Sequence, residues 1–198
     1  MAHRDEYGVY QSHINVPKHF GGTGADTFGW CLCDAPLLLT ALLSAGIPYD
    51  ERIRRGVRHL ASLYRDGAFP CTVSSEFGKF RGPGRKDDCC PYATLVMLRL
   101  FALIPEYAVS DMADSCAKTL LWLWEHSRDA HPYMFYMGTD FRKLKAPPVW
   151  YDIASVADTF SLFPRIRRDP RFLEMLDVIK TKMDADGLFT PESVYQKC

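Results

Sequence analysis

The residues most able to do chemistry fall in three stretches, each placed just before an apolar run. In GPGRKDDCCPY, Gly82 to Tyr92, a glycine- and proline-rich turn leads into two carboxylates and two thiols, Asp87, Asp88, Cys89 and Cys90. Arg81, Arg85 and Lys86 add a small cationic cluster. An Asp here also serves as a helix cap, and cysteines pack as small apolar residues. In HPYMFYMGTDFRKLKAPPVWYD, His131 to Asp152, the rings of Tyr133, Tyr136, Trp150 and Tyr151 alternate with Arg142 and Lys145. Aromatic walls with cations at the mouth suit an apolar ligand carrying an anionic head; the same rings also suit closing the end of a helix stack. Asp152 lies on an apolar segment, where a carboxylate must be paired or protonated. Arg142 and Lys145 are its expected partners. In CLCD, Cys31 and Cys33 precede Asp34, and these thiols are expected to converge with Cys71, Cys89 and Cys90 at one end of the molecule as a cysteine-rich metal site.

These stretches need elements to hold them. Apolar periodicity predicts six helices in three pairs, over 34–45, 50–64, 90–104, 110–126, 149–163 and from Asp169 onward. Asp34, Asp50, Ser110 and Asp169 supply caps, and Pro170 follows Asp169 at the first helical position. Two of the helices run into Asp-Gly-x-Phe, at Asp66–Phe69 and Asp186–Phe189, and the caps recur at about 60 residues. The odd-numbered helices are apolar all round, as buried helices are. The even-numbered ones are amphipathic, with charge facing water. The long links, about 65–89 and 127–148, then share one end of the stack with the segment before the first helix.

Alternating inner and outer helices whose repeats end in Asp-Gly-x-aromatic resemble the α/α toroid of terpenoid cyclases and protein prenyltransferases. RRGVRHLASLYRDGAF, residues 54–69, is similar to the cyclase repeat, with Phe69 in place of its Trp. The fold expected is all-α, a partial toroid of three hairpins, one domain over 1–198 with 1–29 as an irregular lead. The resemblance implies an isoprenoid- or terpenoid-type enzyme or prenyl-chain binder. The alternative is a non-catalytic ligand- or protein-binding module that keeps the toroid without the acid motif. By the prenyltransferase pattern, Asp88 and Cys90 with His131 would ligate zinc, and Arg81, Arg85 and Lys86 would hold a diphosphate. By the cyclase pattern, Asp88 would be the acid, in a stretch, Arg85-Lys86-Asp87-Asp88-Cys89, that lacks the first Asp of that motif; Asp152, on a mostly apolar inner helix, is the second carboxylate expected to be catalytic. Carbocations could be steadied by the ring faces. An open half-ring leaves an apolar edge, so a homodimer or a missing partner half is expected.

Composition excludes other classes. The 198 residues carry 24 Lys+Arg against 24 Asp+Glu, so no global field steers the chain to nucleic acid. The hydrophobic share of 47% excludes a disordered chain. No apolar run reaches membrane-spanning length, and the first residues have no apolar signal core. Seven cysteines without a Cys-x-x-Cys pair are expected to be reduced thiols in a cytoplasmic protein. No Walker loop, dinucleotide fingerprint or Gly-x-Ser-x-Gly is present.

Overall fold

In the computed structural model, residues 3–82, 88–127, 129–130, 142–148 and 152–194 are described. Their helices start where capping chemistry dictates. Helix α1 (Ala35–Ser44) has a proline in its first turn, and the cap expected at Asp34 is corrected: its carboxylate makes no cap bond to the helix and accepts from the Cys31 amide instead. Helix α2 (Glu51–Ala61) begins after Asp50, whose carboxylate accepts from the amides of Arg52 and Ile53 at 3.0 and 3.4 Å. Helix α3 (Pro91–Phe101) opens on proline after Cys90. A one-turn helix α4 (Pro105–Ala108) leads to α5 (Asp111–Glu125), capped by the Ser110 hydroxyl on the Ala113 amide at 3.2 Å. Helix α6 (Ile153–Ser161) is capped by Asp152, and α7 (Pro170–Lys180) by Asp169 with Pro170 at its start. Each cap satisfies an amide that the first turn leaves without a partner.

Helix α3 is the hub. It packs against α1, α5 and α6, while α2 lies on α1, and α7 on both α5 and α6. The reason is its sequence: PYATLVMLRLF offers an apolar residue in nearly every direction, and nine of its eleven residues are buried. Phe101 at its end stacks on Tyr107 at 4.7 Å and meets the edge of Phe69 at 6.0 Å. The expectation that α1 is equally enclosed is corrected. Leu37 and Leu38 remain more than a third exposed, because α1 packs against α3 and α2 and leaves the face carrying these leucines uncovered.

The all-α class, the three-hairpin partial toroid, is also corrected. Besides seven α-helices, the described residues form two small two-stranded sheets, and the fold is mixed. Strands β1 (Ser12–Asn15) and β2 (Asp26–Gly29) pair antiparallel, with Ser12 opposite Gly29 and Asn15 opposite Asp26. Strands β3 (Lys145–Ala146) and β4 (Ser193–Val194) pair in parallel. The segment 1–29 is therefore not simply irregular. It is fastened by Asp5, whose carboxylate accepts from the amides of Tyr7 and Val9 and from the Trp30 indole at 2.7 Å. Strands of two to four mostly polar residues are too short to print a period of two on the sequence. Among the described residues no helix is long and apolar enough to cross a membrane.

Phe101→Ala should cost about 3–5 kcal/mol in urea unfolding, the range for emptying a fully buried aromatic site. Val109→Ala, at a position 69% exposed, should stay within about 0.5 kcal/mol. Equal losses at the two positions would contradict the placement of the core.

Candidate functional site

The heads of α1 and α3 are tied by three pieces of extended chain. The Leu32 amide donates to the Thr72 carbonyl at 2.9 Å, and Ser74 to that of Trp30 at 2.8 Å. Cys31 pairs antiparallel with Val73. On the other side of the same central piece, Pro70 pairs with Cys89, and the Cys90 amide donates to the Phe69 carbonyl at 2.7 Å. Alternation along extended chain then sorts the side chains. Cys31 faces with Val73, and Cys71 is two residues from Val73, so Cys31 and Cys71 share a face. The pairing of residue 70 with residue 89 puts Cys90 on that face too. The turn from Cys31 to Asp34, closed by the Asp34 amide on the Cys31 carbonyl at 3.0 Å, brings Cys33 beside them.

Four thiols therefore meet at one end of the helix row. The Cys31 thiol hydrogen-bonds Cys33, which pushes Cys31 well above the ordinary thiol range, with burial adding to it. The same bond holds Cys33 below that range. The Cys90 thiol bonds Cys71, and this bond and then burial push Cys90 far up. Cys90 also caps α3, its sulfur accepting from the Ala93 amide at 3.4 Å. Gly82, at φ +78°, leaves room for the Cys71 sulfur, since a Cβ there would come within 2.5 Å of it. Cys89 lies on the opposite face by the same alternation. Burial raises its thiol, and it also raises that of Cys116 to about 12. Asp34 closes the cluster, accepting from the Cys31 amide at 2.8 Å, and burial raises its carboxyl.

A slot runs beside this cluster, between α3 and α6. One concavity of about 150 Å³ lies among Leu37, Tyr92, Leu95 and Val96, with Arg99 at its rim. A second, of about 280 Å³, lies beside the start of α6 among Leu144, Lys145, Asp152 and Phe189. They share Pro148 and Ser155. Arg99 pairs with Asp158 at 2.9 Å on the surface. Ser155 and Thr159, four residues apart on α6, both line the first concavity. Polar residues at that spacing on an apolar helix were the available signal for this face, and the sequence reading did not use it.

The residues singled out from sequence are only partly assembled here. Asp152 is buried, and both of its oxygens are engaged by main-chain amides, Ser155 at 2.8 Å and Lys145 at 3.2 Å. Its expected partnership with Lys145 thus runs through backbone rather than ammonium. Arg142 does not reach Asp152. It lies over the Trp124 ring at 3.9 Å and pairs with Glu174 at 3.4 Å. Asp88 is half-buried next to Cys89, and Arg81 is exposed. Arg85, Lys86, His131, Tyr133, Tyr136, Trp150 and Tyr151 lie outside the described residues. The expected zinc set includes His131, which lies outside the described residues; among the described residues no group of three or more His, Cys, Asp or Glu is placed to hold a metal ion.

A scan against protein-family models, a search of curated proteins and a search of solved structures each returned no match.

Because the folded state raises the Asp34 carboxyl, it holds that proton more tightly than the unfolded chain does. Stability attributable to Asp34 should fall as pH rises from the ordinary carboxylate range to the raised value. Asp34→Asn keeps an oxygen for the Cys31 amide and removes the titration. The unfolding free energy of wild type minus that of Asp34→Asn should therefore decrease with pH across that window. A difference that increases with pH would show the carboxylate to be favoured in the folded state.

Proposed function

We propose that the chain is a binding module for an elongated apolar molecule with an anionic head, of the acyl or isoprenoid class. The observation that carries this is the slot formed by two neighbouring concavities, one between α3 and α6 and one beside the start of α6, which share Pro148 and Ser155 in their walls. The larger, of about 280 Å³, is near about 300 Å³, the lower end for small-molecule sites. The lining suits a chain: leucine, valine, proline and two rings, Tyr92 and Phe189. Arg99 at the rim suits the head. Its ion pair with Asp158 is solvent-exposed, and such pairs contribute about 0–1 kcal/mol. A carboxylate or diphosphate on a bound chain can compete with it, and guanidinium binds either in two-pronged fashion.

Binding is favoured over acid catalysis by Asp152. It lines the slot, yet its oxygens are held by the amides that start α6 and flank Lys145. A carboxylate used in this way acts as a cap.

The test is fluorescence titration with cis-parinaric acid, with farnesyl diphosphate as competitor. Saturable binding to wild type is expected. Ser155→Trp, which fills the junction of the two concavities, should weaken it by at least about tenfold, or 1.4 kcal/mol. Arg99→Gln should weaken the anionic ligands by about tenfold and leave farnesol unchanged. Binding that ignores both substitutions would remove the slot as the site.

A further inference from the structure

Away from the slot, we propose that the turn over 18–24, with the chain at 79–81 beside it, docks on an anionic lipid bilayer. Phe20 enters the headgroup region, and Lys18, Lys79 and Arg81 meet the lipid phosphates and carboxylates. None of these residues lines the slot, so the surface is a separate feature of the chain.

The turn is built to hold a ring in the open. Pro17 leads into a single 3₁₀ turn, Lys18–Phe20, which Gly21 ends at φ +84°. The Gly21 and Gly22 amides donate to the carbonyls of Lys18 and Pro17 at 2.9 and 3.2 Å, and the Gly24 amide to that of Val16 at 2.9 Å. Gly22 is packed so closely that a Cβ there would fall 2.1 Å from the Val16 carbonyl oxygen. The Lys79 amide donates to the Gly21 carbonyl at 2.8 Å, which ties 79–81 to the turn. Val16 and Phe77, which flank these segments in sequence, are buried. Phe20 is 62% exposed, and its ring meets that of His19 at 4.1 Å.

An exposed ring alone is ordinary; its charge setting identifies the partner. The chain is neutral overall, yet segments 16–24 and 77–82 contain no Asp or Glu. Arginines elsewhere are paired, as Arg52 is with Asp50, Arg99 with Asp158 and Arg165 with Asp114. Among the described residues, Lys18, Lys79 and Arg81 enter no ion pair, and all three are exposed. The flanking carboxylates are engaged with other side chains: Asp26 accepts from the Asn15 amide group at 3.2 Å, and Glu76 from that of Gln11 at 2.9 Å. Uncompensated cations beside an open ring match an anionic membrane surface, which attracts each cation and takes the ring at headgroup level. A nucleic-acid strand is held by successive rings along a basic groove. Here there is one ring, already against His19, which favours the bilayer.

The full chain should be sedimented with vesicles of equal parts phosphatidylserine and phosphatidylcholine. Saturable binding is expected at low salt. Phosphatidylcholine alone should bind at least about tenfold more weakly, and added salt should release the protein. Lys79→Gln combined with Arg81→Gln should weaken binding to the mixed vesicles at least about tenfold. Phe20→Ser should weaken it about fivefold or more, and Phe20→Trp should retain it, because Trp suits the interface. Lys180→Gln, at a cation paired with Asp177 on α7, should bind as wild type does. Phe20→Ser should also still bind cis-parinaric acid, so this surface and the slot succeed or fail separately. All the substituted side chains are exposed, and thermal unfolding of each variant should match wild type. Vesicle binding that Phe20→Ser and the double substitution leave unchanged would overturn the proposal. So would equal binding to phosphatidylcholine alone, or a wild type that ignores the mixed vesicles and binds a single-stranded oligonucleotide instead.

Discussion

The structure depends on the short antiparallel pairing between residues 30–32 and 72–74, continued on its other side by 69–70 with 89–90. These bonds join the head of α1 to the head of α3 through a connection that is otherwise long and mostly irregular. Loops of that length normally lie free on the surface. Here the loop carries buried chain, with Phe69 and Phe77 fully enclosed. Its backbone groups must therefore find partners inside the protein, and the paired segments supply them. The grouping of the thiols and the slot both follow from the placement this fixes. Tyr92, the second residue of α3, lines the slot, and burial, then the neighbouring Cys33, Asp34 and Cys90, raise its phenol.

From that junction the helices radiate around α3. Its near-uniform burial makes it the element least tolerant of change. The helices at the margins leave apolar surface in view, as Leu37 and Leu38 do on α1 and Leu162 does after α6. Leu37 belongs to the slot. The charged residues lie outside. Arg58 pairs with Glu51 along α2, and Arg165 with Asp114 across to α5. Exposed pairs of this kind contribute little stability; their role is to keep the outer faces wet.

The sequence was most legible where local chemistry is decisive. Asp50, Ser110 and Asp169 each precede a helix and cap it, and the proline start at Pro170 falls as expected, whereas Asp34 makes no cap bond and Asp152, expected within a helix, caps one. The convergence of Cys31, Cys33, Cys71 and Cys90 was legible in part, because all four stand just before, or in the link leading to, an inner helix; Cys89, expected with them, falls on the opposite face by alternation. The strands were not legible. SHIN and DTFG have no alternating apolar pattern, and their pairing comes from a hairpin packed against Phe77 and Trp30. The partner of Asp152 was misread for a related reason. A carboxylate beside Arg142 and Lys145 reads as an ion pair, whereas a buried cap prefers amides fixed by the backbone. The slot was missed because it combines residues from three separate helices, a juxtaposition that no window of sequence contains.

The central claim is that the paired segments at the heads of α1 and α3 are a stable part of the fold, from which the thiol face and the slot are built. Hydrogen exchange measured residue by residue tests it most directly. The amides of Leu32, Ser74 and Cys90, which donate to Thr72, Trp30 and Phe69, should exchange as slowly as Leu98 in the interior of α3. Exchange as fast as that of Gly187, an amide in an exposed turn, would show that the junction opens freely and would contradict the account.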